Sequence, residues 1–173
     1  MKIVVVSDSH ADVKSLKLIR ERHLHDADLF IHCGDSQLMS NHPDIQGYLT
    51  VRGNCDLDQQ YPLHRVEKLN HRETLFMTHG HQYDVKYSMQ RLYYKALEVG
   101  ASIVCYGHSH CIGAEMNEGI LFLNPGSVVL PRNTKEKTYA IITAETDELE
   151  VIYLEVSTGD ALIRQTFYRY EER

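Results

Sequence analysis

The sequence predicts an α/β fold, a layered sandwich built on mixed β-sheets. Three observations carry that prediction. Short apolar runs recur along the chain between polar or glycine-containing breaks. Two segments keep helical spacing instead. The first half alternates strand with helix, whereas the second half is strand-rich.

The elements follow in order. Ile3–Val6 is a short apolar run that stops at Ser7-Asp8 and reads as a strand. Asp12 then stands where a helix N-cap belongs, and Val13, Leu16 and Ile19 keep helical spacing behind it. Strands are predicted at Leu29–Cys33, Leu49–Val51 and Leu75–Thr78. Ser88 is the expected cap of a second helix with Met89, Leu92, Tyr93, Ala96 and Leu97 on one face, ended by Gly100. Strands resume at Ile103–Tyr106 and Ile120–Leu123. Tyr139–Thr143 and Leu149–Leu154 then make a hairpin that turns at Glu145–Glu148. Strand–helix alternation favours parallel pairing in the first half. No repeat or linker interrupts the pattern, so residues 1–173 read as one domain.

Composition narrows the function. The net charge is −6, and no block of lysine or arginine offers the clustered positive charge that phosphate backbones require. General nucleic-acid binding is therefore not expected, while a small phosphorylated substrate held by metal ions is compatible. No apolar run approaches the ~20 residues of a membrane span, and the opening MKIVVVSD is too short for a secretory signal. Cys33, Cys55, Cys105 and Cys111 form no CxxC pair and read as reduced thiols. These features predict a cytoplasmic protein with no membrane association.

The polar residues fall in a pattern. IVVVSDSH ends in Asp8 and His10, LFIHCGD in Asp35, and LTVRGNCD in Asn54 and Asp56. LFMTHGH ends in His79 and His81, and IVCYGHSH in His108 and His110. Ligands of open α/β sheets bind beyond the carboxyl ends of the strands, so these residues are expected to meet in space. Imidazole, carboxylate and amide oxygen suit Mn, Fe, Zn, Ni or Co and disfavour copper(I). Asp8, His10, Asp35, Asn54, His79, His108 and His110 are too many for one four-coordinate zinc and suit two ions sharing a carboxylate. Spacing of two in Asp8-x-His10 and His108-x-His110 would aim both side chains to one side of an extended segment. The other histidines, His23, His25, His32, His42, His64 and His71, are expected to be surface or core residues.

DSH (8–10), GD (34–35), GNCD (53–56), HGH (79–81) and GHSH (107–110), extended by NPGS (124–127), resemble the ordered motif set of the calcineurin-like metallophosphoesterases. The length and the GNCD motif are most similar to the small YfcE-type phosphodiesterases. The resemblance implies a four-layer αββα sandwich of two mixed β-sheets flanked by helices. It implies two divalent metal ions, commonly Mn, with Ni, Fe, Zn and Mg as alternatives. Asp8, His10, Asp35 and His110 would hold one ion, and Asp35, Asn54, His79 and His108 the other, with Asp35 bridging. The implied reaction is hydrolysis of a small phosphodiester by a hydroxide bridging the metals. Asp35 and Asn54 would act in catalysis, with His81 touching substrate or supporting the ligands. Asn124, Gly126 and Ser127 would shape the loop beneath the ions, and Arg132 is expected to be a solvated loop residue. Relatives often pair, so a homodimer is compatible.

One departure changes the chemistry. Many relatives carry histidine after the motif asparagine, and here Cys55 takes its place. A thiol is a poor general acid near neutral pH. Phosphodiesters with good, aryl-type leaving groups are therefore the expected substrates, ahead of phosphomonoesters or phosphoproteins. The rival reading, a non-catalytic scaffold like the retromer subunit of the same fold, loses weight because all four candidate histidine ligands are kept.

Overall fold

In the computed structural model, which describes residues 1–169, the apolar runs become the middle strands of two mixed sheets. In the first sheet β1 (Lys2–Val6), β2 (Leu29–His32) and β3 (Leu49–Thr50) run parallel. In the second, β5 (Thr74–Thr78), β6 (Ile103–Cys105) and β8 (Ile120–Pro125) run parallel, edged by antiparallel β4 (His64–Lys68) and β7 (Ile112–Asn117). The last strands, β9 (Thr138–Ala144), β10 (Glu148–Glu155) and β11 (Ala161–Tyr168), return to the first sheet as an antiparallel meander beside β1. The orders are β11-β10-β9-β1-β2-β3 and β4-β5-β6-β8-β7.

Alternation along each strand sorts the side chains into layers. Ile3, Val5, Ile31, Leu75, Met77, Ile103 and Leu121 fill the space between the sheets. On the outer face of the first sheet, Val4, Val6 and Phe30 meet Leu16 and Ile19 of α1 (Val13–His23). On the outer face of the second, Phe76, Val104 and Phe122 meet Leu92 and Ala96 of α2 (Gln90–Glu98). The result is the expected αββα order. Ile31 and Leu121 are fully buried, and truncating either to alanine is expected to cost about 2–5 kcal/mol.

Helix ends were partly legible. Asp12 caps α1 as expected, accepting from the Ser15 backbone N–H at 3.2 Å. In α2 the N-cap position falls to Met89, which supplies no side-chain bond, and Ser88 Oγ accepts from the Gln90 N–H at 3.2 Å instead. Gly100 follows the C-cap with φ +64°, as a C-terminal glycine should. The predicted hairpin turn closes through the Glu145 N–H to the Glu148 carbonyl at 3.0 Å. Strands β4, β7 and β11 were not predicted, and all three lie at sheet edges. Among the described residues no helix is long and apolar enough to cross a membrane.

The loops leaving β1, β2, β5 and β6 touch at one end of the sandwich. Asp8 N–H donates to the Gly34 carbonyl, His10 N–H to that of Asp35, and Gly107 N–H to that of His79, each at 3.0 Å.

Candidate metal centre

The loops reach this end by an unusual backbone. Asp8, His10, Asp35, His108 and His110 all have positive φ, between 43° and 68°. For residues with a Cβ this left-handed conformation is strained and persists only where surrounding structure enforces it. The spacing-of-two argument is corrected here: neither segment is extended, and the left-handed turns aim the side chains instead. Two glycines permit the approach. A Cβ on Gly53 would stand 2.0 Å from Asp35 Oδ1, and one on Gly107 would stand 2.0 Å from Ser7 Oγ.

The side chains converge as the sequence predicts, with His108 at the margin. Ligand-type atoms of Asp8, His10 and His110 lie within 4.8 Å of one another, as do those of Asp8, Asp35 and His79. Asn54 Oδ1 lies 3.1 Å from His79 Nε2. Asp35 Oδ2 lies 3.3 Å from the same nitrogen, and Asp8 Oδ1 is 3.1 Å from His110 Nε2. His108 joins neither trio. Its backbone N–H donates to Asp8 Oδ2 at 3.1 Å, and its ring packs 5.1 Å from that of His79. His81 stands beyond both, its ring 5.4 Å from His79, on a 3-10 turn over His81–Tyr83. The first sheet supplies Asp8, His10, Asp35 and Asn54, and the second supplies the three remaining candidate ligands.

Three histidines are held in one tautomer. Nδ1–H donates to the Gln37 Oε1 in His10 (2.9 Å), to the Cys33 carbonyl in His79 (2.8 Å) and to the Leu130 carbonyl in His110 (2.8 Å). In the neutral rings each Nε2 then faces the centre as a lone pair, the arrangement that orients metal-ligating histidines. His10 and His110 even set Nε2 against Nε2 at 3.5 Å. Asp8 Oδ1 is buried with no hydrogen-bond donor. Acceptors gathered about a common point, with a buried carboxylate oxygen unsatisfied, repel unless a cation lies among them. The residues therefore fit divalent metal ions.

Electrostatics agree. Burial pushes the Asp8 carboxyl up, but the neighbouring His110 and His79 outweigh it and hold it below its ordinary value. Asp35 is likewise held low against burial, chiefly by His79. Burial also works against charge on His79, yet the facing Asp35 and Asp8 raise its pKa. Asp8 does the same for His110. Burial and the positive potential of His79 depress His108 to about 4. The carboxylates thus draw positive charge to the positions where cations would sit.

The supporting contacts include residues the sequence left open. Asp56, which the sequence shows only as the end of the GNCD motif, is buried. It accepts from the backbone N–H groups of Asp35 (2.8 Å), Gly53 (2.7 Å) and Gln37 (2.6 Å), clamping the GD and GNCD loops together. Asn124 Nδ2 donates to the Gly107 carbonyl and Ser109 Oγ, both at 3.0 Å. Ser127 Oγ donates to the Asp8 carbonyl at 2.8 Å. His32, expected only as a core or surface residue, braces two loops. Its Nδ1 accepts from the Gly34 N–H (3.2 Å), so Nε2–H donates to Ser9 Oγ (2.9 Å). Its place at the end of LFIH, just before the GD motif, was the signal that could have found it. Cys55 Sγ lies within 4.8 Å of ligand atoms of His10 and Asp35. Burial, then Asp35, pushes its thiol up to about 11. Arg132 is exposed, as expected.

Residues 1–147 match the model of the calcineurin-like phosphoesterase superfamily domain. The chain is 41% identical over 151 residues to a probable metallophosphoesterase, YsnB, of Bacillus subtilis, covering 87% of this chain and 89% of that protein. It is 34% identical over 113 residues to the phosphodiesterase YfcE of Escherichia coli, covering 61% of this chain and 56% of that one. The crystal structure of a predicted phosphoesterase from Streptococcus pneumoniae superposes with a TM-score of 0.89 at 36% identity, over 97% of both chains. With the family model spanning most of the chain and the ligand-type residues gathered at one end, the chain belongs to the calcineurin-like phosphoesterases, a family of metal-dependent hydrolases.

Proposed function

We propose that this protein is a phosphodiesterase that works with two divalent metal ions, most readily Mn, and cleaves small phosphodiesters with aryl-type leaving groups in the cytoplasm. The observation that carries the reading is the convergence of Asp8, His10, Asp35, Asn54, His79 and His110 beside a buried carboxylate oxygen, Asp8 Oδ1, that lacks a donor. YfcE, a phosphodiesterase, shares part of the sequence and supports the substrate class.

When bound, two divalent ions lower the pKa of water toward ~7 and neutralise charge on the phosphoryl oxygens. The chain's own residues supply the rest. His10, His79 and His110 present Nε2 and keep Nδ1–H on fixed acceptors, so the rings do not turn. Asp35, clamped through Asp56 and the Cys55 N–H (2.7 Å), lies within reach of both His79 and His10 and would be the ligand shared between two ions. His108 and His81, partly exposed at the margin, face arriving substrate. In hydrolysis the water oxygen bonds to phosphorus, the P–O bond to the alcohol breaks, and a phosphomonoester and an alcohol leave. Where a histidine would donate a proton to that alcohol, this chain offers Cys55. Aryl alcohols leave without such help, and alkyl ones do not.

The test is direct. Purified protein with Mn²⁺ is expected to hydrolyse an aryl phosphodiester, to stop with chelator, and to be strongly impaired as His108→Ala. Equal turnover of an alkyl monoester would overturn the substrate preference. Absence of any metal-dependent turnover would overturn the enzyme reading.

A further inference from the structure

The outer face of the second sheet carries a cleft whose chemistry the centre does not use. Along β7, Ile112, Ala114 and Met116 pack toward the layer between the sheets, so Gly113, Glu115 and Asn117 face the side of α2. Gly113 has no side chain to fill that face, and a Cβ placed on it meets nothing within 4 Å. The space left is a cleft of about 170 Å³ lined by Met89, Tyr93, Tyr106, Gly113, Glu115 and Phe122, with Ala114 and Asn117 at its border. Pockets for drug-sized ligands run from roughly 300 Å³ upward, so this one suits a head group and not a whole large ligand.

Its lining is aromatic and acidic. Tyr93 and Phe122 form an inclined wall, ring centroids 6.3 Å apart at 41°. The Tyr93 hydroxyl is fixed by donating to Glu118 Oε2 at 2.5 Å. Glu115 is exposed and supplies a carboxylate, and no lysine, arginine or histidine lines the cleft. Aromatic rings attract cations through their π faces, and quaternary ammonium groups are favoured because they lose little hydration on entry. The net charge of −6 adds long-range attraction of the same sign.

We infer that the cleft between α2 and β7 binds a small organic cation of the substituted-ammonium class, its charged head against Tyr93, Tyr106 and Phe122 and its charge met by Glu115. The cation could arrive free or as the alcohol part of a phosphodiester. The cleft borders the centre along the chain, since Tyr106 precedes His108 by two residues and Gly113 follows His110 by three. Binding of the cation stands independently of hydrolysis.

Calorimetric titration with choline tests this, against the neutral isostere in which a tert-butyl group replaces trimethylammonium. Choline is expected to bind about tenfold more tightly than the isostere. Gly113→Val fills the cleft from a position with open space, and should abolish binding while leaving thermal stability and hydrolysis of a small aryl diester unchanged. Glu115→Gln, at an exposed site, should weaken choline about threefold and guards against a Gly113→Val protein that does not fold. Equal affinity for choline and isostere would overturn the inference, and so would undiminished choline binding in both variants. Comparing KM for a choline-bearing diester with its neutral-alcohol counterpart assigns the source. A lower KM that disappears in Gly113→Val marks the substrate, and equal values mark a free cation.

Discussion

The loops that end β1, β2 and β6 and the meander of β9, β10 and β11 belong to one molecule and follow opposite rules. The loops hold buried aspartates and histidines on left-handed backbone, with an unsatisfied carboxylate oxygen among them. The meander runs in regular antiparallel register, with a bulge between Tyr153 and Leu154, and leaves most of β11 exposed. Strain and unpaired polar atoms are costly, so a fold concentrates them where another gain offsets the cost. The meander contributes packing, and the loops contribute chemistry at the expense of packing.

The sharpest way to break that contrast is to remove a ligand. Asp8→Asn is expected to lower metal-dependent hydrolysis by about 10³-fold, the scale of losing a fixed electrostatic stabiliser, with metal content falling in parallel. Elemental analysis beside initial rates decides it, and retained metal with retained rate would contradict the centre. Next comes Asp56→Ala, which leaves the Asp35, Gly53 and Gln37 N–H groups without their acceptor. Metal affinity is expected to fall about 10–100-fold, the usual cost of losing a contact that orients ligands. Competition with a chelator of known affinity measures it.

A smaller effect follows from His32. Burial holds its folded pKa down to about 4, against 6.5 for a free imidazole. As pH falls through that window the unfolded chain takes up a proton that the folded chain refuses, so stability is lost on acidification. Metal-free protein should therefore lose stability from pH 6.5 toward 4 more steeply than its His32→Gln variant, as read from urea midpoints. Parallel slopes would show that His32 is not held neutral. The smallest effect belongs to the meander. Ile163→Lys, on exposed β11, is expected to change stability by no more than about 0.5 kcal/mol and the rate not at all.

What was legible in the sequence divides along the same line. Central strands such as β5 and β6 are buried throughout and announce themselves as apolar runs. β4, β7 and β11 are edge strands: the first two alternate exposed with half-buried residues and the third is almost wholly exposed, so a search for apolar runs passes over them. The ligand-type residues were legible because their chemical types recur after each central strand. Their backbone was not. Nothing in Asp8-Ser-His or His108-Ser-His foretells left-handed φ, which the opposing loop, Gly53 and Gly107 impose together. Asp56 and His32 were ambiguous for a related reason: each acts through backbone N–H groups distant in sequence or carrying no side-chain signature.

Because the candidate ligands come from both sheets, a bound cation pair would act as a clasp closing one end of the sandwich. Pulling the sheets apart would then require giving up the ions, so free metal should raise the unfolding free energy by about 2.7 kcal/mol at a hundred times its dissociation constant. Starved of metal, the protein would loosen first at its own catalytic mouth, which makes its turnover in a cell a gauge of the metal supply around it.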